Sequence, residues 1–230
     1  MRRAFILLWI LQPSFFCWSQ TQIIDDFTDG EITNSPIWLG DISNFSVNTD
    51  QQLQLTAPPV SGKSYISTSS EVINEAEWSF YVKLDFNPSS GNYLDVYLVS
   101  DQENLKGELN GYFVRIGSTQ DDVCLYKQNQ STKQKMVDGT DHQIDASQVL
   151  LHINVTKNAD NTWELQVDYG QSGLYISEGT AVDDEHLFSG YFGLLCTYTS
   201  TRADKFFFDD LYISGKNHGD DRAPGIDAGR

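Results

Sequence analysis

The side chains best suited to bind a ligand are aromatic and charged residues that recur at every second position of four short segments. Aromatic faces can stack on the C–H surface of a sugar, while carboxylates and cationic groups hydrogen-bond to its hydroxyls. If the four segments pair in order within one sheet, these side chains converge on one surface, centred on Asp95, Tyr97, Arg115 and Tyr126. The alternatives are that strands simply favour Tyr and Phe, and that Arg115 only pairs with Asp95 across strands. The candidate ligand-binding residues are Tyr81, Lys83, Asp95, Tyr97, Phe113, Arg115 and Tyr126, with Tyr93 beside them.

These segments belong to a chain whose pattern is that of β-strands throughout. Apolar and polar residues alternate over 78–86, 93–98, 112–116, 151–155 and 163–169. A period of two places one set of side chains in the core and the other in water. Turn-forming runs such as Asn-Pro-Ser-Ser-Gly interrupt the strands at close spacing, and no stretch sustains a helical period. The sequence therefore predicts an all-β fold, a two-sheet antiparallel β-sandwich of jelly-roll type.

The charge of the chain excludes whole classes of partner. There are 15 Lys and Arg residues against 32 Asp and Glu, and the net charge is −17. Nucleic acids and anionic membranes are bound by basic surfaces, so neither is expected as a partner. The same charge favours neutral or cationic ligands over uronates and sulfated glycans, which would be repelled unless calcium bridges them.

The first 19 residues have the composition of a secretory signal peptide. Arg2 and Arg3 precede an apolar run over 4–11, and Cys17 and Ser19 stand three residues and one residue before a cleavage site at Gln20. The residues before Cys17 lack the small side chain of a lipoprotein site. No later stretch is long and apolar enough to span a bilayer. We expect a secreted or cell-surface chain with no transmembrane segment after cleavage.

Two cysteines follow the signal peptide, Cys124 and Cys196. In an oxidising compartment they could form a disulfide. They are equally compatible with two small apolar side chains buried in different strands, which is the more common state of free cysteine. We favour the buried, unpaired state.

Four stretches of the sequence carry a resemblance to a known superfamily: Ile24–Gly30 with Trp38, Gly111–Gly117, Gly190–Leu194 and Phe206–Ile213. They resemble concanavalin A-like lectins and glucanases, in particular laminin G-like jelly rolls of secreted Bacteroidota-type proteins. Because no linker interrupts the strand pattern, we expect a single domain over 20–215. Residues 216–230 are polar and rich in turn formers, which predicts either a linker to a further domain, as in the proteins it resembles, or an ordinary tail.

The superfamily includes lectins, glycan-binding and adhesion modules, glycoside hydrolases and lyases, so the fold alone does not select a function. Retaining glucanases of this fold carry Glu-x-Asp-x-x-Glu on one strand, and no Glu in this chain is followed two positions later by Asp. Metalloprotease, serine-hydrolase and phosphate-loop motifs are absent too. The sequence favours a non-catalytic module that binds carbohydrate or another surface ligand. A polysaccharide-active enzyme without the usual motif and a structural or adhesion spacer are the alternatives.

A calcium site is the remaining candidate. Asp25, Asp26 and Asp29 lie near the first predicted strand, and Asp209 and Asp210 lie in the last. Terminal strands often neighbour each other in jelly rolls, and many related domains hold a structural calcium ion. Clustered carboxylates supply the oxygen ligands that Ca²⁺ prefers. The alternative is that one Asp of each pair caps a turn while the other faces solvent.

Overall fold

The computed structural model describes residues 21–220, which form fifteen β-strands and, within that range, no α-helix. The predicted all-β class is therefore confirmed. The strands are β1 Thr21–Asp25, β2 Leu39–Gly40, β3 Phe45–Val47, β4 Leu53–Leu55, β5 Gly62–Ser69, β6 Val72–Leu84, β7 Tyr93–Ser100, β8 Leu109–Gly117, β9 Val123–Gln130, β10 Thr132–Val137, β11 Val149–Lys157, β12 Thr162–Tyr169, β13 Ile176–Val182, β14 Tyr191–Tyr198 and β15 Phe206–Asn217.

The strands form two antiparallel sheets, as the alternating pattern predicts. Sheet A has the order β13-β12-β11-β6-β15-β4-β3, and β1 also pairs with β15. Sheet B has the order β10-β9-β8-β7-β14-β5-β2. The two sheets stack into a jelly-roll β-sandwich, which confirms the predicted architecture.

The inward side chains of both sheets form one large hydrophobic core. Three of its largest members lie together: Trp78 of β6 stacks on Trp163 of β12 at 5.5 Å between ring centroids, and the ring centroid of Tyr112 of β8 lies 4.4 Å from that of Trp163. Trp78 and Trp163 belong to sheet A and Tyr112 belongs to sheet B, so these rings join the two sheets. Large aromatic side chains also bury more apolar area than any others.

The two cysteines are buried and unpaired. Cys124 lies on β9 and Cys196 on β14, and β8 and β7 separate these strands. Three strand spacings amount to about 14 Å, well beyond the Cα separation of a disulfide. The favoured, unpaired state is the one observed.

Thiol labelling can check this arrangement. Burial, with the hydrogen bond to Asp122, raises the pKa of the Cys124 thiol to about 12, and Cys196 is fully buried. Because the thiolate is the reactive form, we expect neither cysteine of the mature chain to react with a disulfide reagent at pH 8 while folded. Both should react after denaturation without reductant. A disulfide in the mature chain would leave neither available and would contradict the structure.

The ends of the predicted domain are only partly covered by the structure. The predicted signal peptide over 1–19 and residues 221–230 lie outside the described residues. Strand β15 continues through Asn217, two residues past the expected end of the domain. In the described range, no helix has the length and apolar character needed to cross a membrane.

Candidate functional site

Five of the seven predicted ligand-binding side chains lie together on the outer face of sheet B. We call Asp95, Tyr97, Phe113, Arg115 and Tyr126 the outer-face cluster. The register places Tyr97 opposite Phe113, and Phe113 opposite Tyr126 on the next strand. Asp95 lies opposite Arg115. Strands β7, β8 and β9 are consecutive neighbours, so the pairing expected from the sequence holds for these three.

Most polar groups of the outer-face cluster are already paired within the protein. Arg115 donates to Asp95 through Nε at 2.7 Å and Nη2 at 2.8 Å, and Lys133 Nζ lies 3.1 Å from the same carboxylate. Lys133 also donates to the Tyr97 hydroxyl at 3.2 Å, and that hydroxyl donates to Gln128 Oε1 at 2.7 Å. Burial and the charge of Asp95 raise the pKa of Tyr97, which therefore stays neutral. The expected cross-strand Arg–Asp pair is present.

Only the rim of the cluster is open to solvent. Tyr93, Arg115 and Tyr126 are half-buried, and we call them the Tyr93–Arg115–Tyr126 patch. The Arg115 guanidinium carbon lies 4.6 Å from the Tyr93 ring centroid and 5.2 Å from that of Tyr126. Tyr126 stacks on Phe113 at 5.1 Å with the rings nearly parallel. The patch therefore has fixed aromatic surface next to a guanidinium whose Nη1 has no acceptor among the described residues.

The segment between β7 and β8 covers the rest of the cluster. Leu105 of this segment and Leu109 at the start of β8 join Tyr97 and Phe113 in one buried apolar group. Gly193 of β14 makes room, because a Cβ at this position would lie 2.7 Å from Leu105 Cδ1. Tyr97 and Phe113 have no exposed surface, so they support the patch from beneath instead of contacting a ligand.

Tyr81 and Lys83 do not join this surface, which corrects the assumption that the four segments pair in order. They lie on β6 in sheet A, and the segment over 85–92 crosses to sheet B before β7 begins. Tyr81 is buried with its ring 6.2 Å from His152. Lys83 lies over the Phe207 ring and 3.4 Å from Asp85. The Asn-Pro-Ser-Ser-Gly run marks a turn but does not show that it connects two sheets.

Two cations beside the patch were missed from the sequence. Lys133 and Lys135 lie on β10, and Lys135 lies opposite Tyr126. Lys135 Nζ is 5.9 Å from the centroid of that ring. Their alternation in Thr132–Val137 was a usable signal, because it places both side chains on one face of a strand.

The predicted calcium ligands lie on or next to paired strands, although no three of their carboxylate oxygens lie within 4.8 Å of one another in the rotamers of the described structure. Strand β1 pairs with β15, which places Asp25 opposite Leu211. Asp25 is buried, and its oxygens accept hydrogen bonds from the Phe27 backbone N–H at 3.0 Å and from Trp38 Nε1 at 2.8 Å. Asp26 is exposed and accepts from Thr28, as a turn cap does. Burial and the charges of Asp210 and Asp26 raise the pKa of Asp209.

Elsewhere in the described part of the chain there are two groups of three residues whose potential metal-ligating atoms lie within 4.8 Å of one another. Asp122, Cys124 and Asp138 form one, but Lys135 already lies 3.3 Å from Asp122 and contacts Asp138. The positive charge that this group binds is therefore the ammonium group of Lys135. The second group lies on loops, where strand alternation gave no signal, and it consists of Asp121, His142 and Asp145.

Comparisons with known proteins agree with this architecture. No protein-family model and no curated protein sequence matches the chain. Among solved structures, the Ca²⁺- and mannose-bound exoplasmic/lumenal domain of VIP36 superposes with a TM-score of 0.59 at 12% identity, covering 84% of this chain and 88% of that one. The metal-free form of the same domain gives 0.58 over 85% and 91%. The chain therefore shares the jelly-roll β-sandwich fold of this domain.

Two further structures share this fold. The carbohydrate-binding module CBM66 from Bacillus subtilis has a TM-score of 0.51 at 15% identity, over 76% of this chain and 92% of that one. A legume lectin-like domain from Entamoeba histolytica has a TM-score of 0.52 at 10% identity, over 78% and 89%. At these identities the likeness concerns the fold alone.

Proposed function

We propose that the chain is an exported, non-catalytic module that binds neutral carbohydrate at the Tyr93–Arg115–Tyr126 patch. The fold is shared with a carbohydrate-binding module and with lectin domains, one of them solved with mannose. The signal-peptide pattern of residues 1–19 supports export. The net charge of −17 disfavours anionic glycans.

The observation that carries the proposal is the fixed placement of Arg115 between two half-buried tyrosines. Asp95 holds the guanidinium through two hydrogen bonds, so Arg115 keeps its position without a ligand. Phe113 holds the Tyr126 ring from one side. A surface that is ordered before binding loses less side-chain entropy when a ligand arrives. In this proposal Tyr93 and Tyr126 contact the sugar ring, and Arg115 Nη1 donates to a hydroxyl.

Removing one tyrosine tests this placement. Tyr126→Ala should weaken binding of neutral oligosaccharides about tenfold, because a stacking contact is lost while the Arg115–Asp95 pair remains. The control is Tyr175→Ala, which removes a part-exposed tyrosine next to His152 of sheet A, away from the patch. Affinity electrophoresis in gels that contain neutral polysaccharides measures both. Equal retardation of Tyr126→Ala and the wild type would contradict the site.

The proposal includes one structural calcium ion, held by Asp26, Asp209 and Asp210. Asp25 does not fit, because both its oxygens accept protein hydrogen bonds. The other three fit better: Asp209 carries charge that no described cation pairs with, and Asp26 and Asp210 are exposed enough to change rotamer. A calcium ion would compensate the charges of these carboxylates, since Asp210 and Asp26 are near enough to raise the pKa of Asp209.

Calcium at one hundred times its dissociation constant should raise Tm by about 5 °C or more, since such binding adds about 2.7 kcal/mol. Asp209→Asn should remove that increase, and Asp145→Asn should keep it. Thermal unfolding with calcium and with chelator measures both variants. If only Asp145→Asn lost the calcium-induced increase in Tm, the calcium ion would belong to the group of Asp121, His142 and Asp145. If calcium did not raise the Tm of the wild type, the proposal would lose its calcium ion.

Protein adhesion is a second candidate function, and it rests on the edge strand of sheet A. Ile176 and Val182 of β13 are 56% and 74% exposed, and Leu174 just before the strand is 74% exposed. Apolar side chains on a sheet edge favour contact with another chain. Attachment of the fluorescent mature chain to cells separates the two functions. Ile176→Lys should abolish adhesion through β13, whereas Tyr126→Ala should weaken attachment through glycans about tenfold.

A further inference from the structure

A cleft of about 390 Å³ lies at the end of the sandwich where β6 begins and β15 ends. Its volume falls within the range of small-molecule sites, about 300–1,000 Å³. The segment over 183–187 forms one wall, and the turn between β11 and β12 forms the opposite one. The side chains that line the cleft include Asn74, Asn158, Asn161, Asp184, Leu187 and His218.

The wall over 183–187 is fixed to the core. Asp183 forms an ion pair with Lys127 and accepts a hydrogen bond from the Tyr112 hydroxyl. Trp163 Nε1 donates to the Asp183 carbonyl at 3.0 Å. The Asp183 backbone N–H donates to the Asn161 carbonyl at 3.2 Å, which ties the wall to the opposite turn. Asp184 and Leu187 are therefore presented by an anchored segment.

The polar groups around this cleft have unused hydrogen-bonding capacity. His218 Nδ1 and the adjacent Asn217 Oδ1 are buried and have no partner within residues 21–220. In the same range, the side chains of Asn158 and Asn161 make no hydrogen bond, and Asp184 has no ion-pair partner. Buried polar atoms without a partner cost stability unless water or a ligand satisfies them. On the outer face of sheet B, by contrast, Asp95 and Tyr97 are fully paired.

The lining suits a polyhydroxylated ligand and disfavours an anionic one. Amide and carboxylate oxygens accept from hydroxyls, and amide N–H groups donate to them. Leu187 is 67% exposed at the rim and Phe188 packs on the His218 ring at 4.4 Å, which supplies apolar surface for a sugar ring. Asp184 repels anionic ligands.

We propose that this cleft is a second glycan-binding site that takes a single neutral sugar unit, separate from the Tyr93–Arg115–Tyr126 patch. The proposal rests on the carbohydrate-binding function proposed above, from which it takes its ligand class. A module with one site for a chain end and one surface for an extended chain would bind branched or terminal glycans through two contacts. Two linked contacts raise the overall affinity above that of either one.

Saturation-transfer NMR with free glucose, galactose, mannose, xylose and fructose tests the cleft. We expect the wild-type mature chain to bind at least one of these monosaccharides, and Tyr126→Ala to bind it equally well. Asp184→Ala should weaken the binding about tenfold or more, because a charged hydrogen bond to a hydroxyl is lost. Asn158→Ala should weaken it in the same direction. Asp50→Ala, another exposed carboxylate without an ion pair in the described chain, is the matched control and should change nothing.

The outcomes distinguish the two sites. Binding that survives Tyr126→Ala and is lost in Asp184→Ala establishes the cleft. Binding lost in Tyr126→Ala and unchanged in Asp184→Ala and Asn158→Ala overturns the cleft and supports the patch. No monosaccharide binding by the wild type overturns the cleft, whereas retardation by polysaccharide gels tests the patch independently. If monosaccharide binding is lost completely in Tyr126→Ala and also in Asp184→Ala and Asn158→Ala, the cleft is not a separate second site.

Discussion

Replacing Trp163 with Ala should lower the free energy of unfolding by about 3–5 kcal/mol, the range for removing a large aromatic side chain from a core. Trp163 has no exposed surface and lies between Trp78 and Tyr112, so its removal opens a cavity that spans both sheets. Its Nε1 donor to the Asp183 carbonyl is lost too. The wall of the end cleft then loses one of its attachments to the core.

Urea denaturation of the mature chain measures this change. Trp163→Phe keeps an aromatic ring and loses the Nε1 donor, so it should cost much less. Leu174→Ala is the surface control, since Leu174 is 74% exposed, and it should change stability by less than about 0.5 kcal/mol. A cost below 1 kcal/mol for Trp163→Ala would show that the three-ring stack does not hold the sheets together.

The second large effect is expected from Asp95→Ala, which should cost about 3 kcal/mol, the lower end of the range for breaking a buried ion pair. Asp95 is 1% exposed and is the carboxylate that faces both Arg115 and Lys133. Without it, the half-buried guanidinium keeps its desolvation cost and loses its counter-charge. Arg115 would also lose its fixed position between Tyr93 and Tyr126, so glycan binding should fall together with stability.

Asp204→Ala is the matched control for this ion pair. Asp204 pairs with Lys205 at 3.7 Å on the surface, where such pairs contribute about 0–1 kcal/mol. Denaturation curves of both variants give the comparison. If Asp95→Ala and Asp204→Ala lowered the free energy of unfolding equally, the buried pair of Asp95 with Arg115 would contribute no more to stability than a surface ion pair.

The fold could be predicted because strand alternation records burial directly. The inward positions of β6, β7, β8, β11 and β12 are those that the period of two assigns to the core. Sheet membership could not be predicted in the same way, because alternation does not say which strand is the neighbour. Tyr81 and Lys83 were placed beside Asp95 for that reason, although β6 and β7 lie in different sheets.

The candidate sites show the same limit at the level of side chains. The Arg115–Asp95 pair follows from register within neighbouring strands, and the sequence predicts it. The burial of Tyr97 and Phe113 depends on Leu105, which comes from a loop whose path has no periodic pattern. The end cleft combines Asn74, Asn158, Asp184 and His218 from four separate segments, and only the tertiary structure brings them together.

A glycan-array screen of the wild-type mature chain, run once with calcium and once with chelator, tests whether the chain binds neutral carbohydrate. We predict binding to neutral glycans and no binding to uronate-containing or sulfated glycans of the same backbone. Binding that persists in chelator would separate the patch from the calcium ion. Absence of neutral-glycan binding under both conditions would contradict the proposed function and leave adhesion through β13 as the better account.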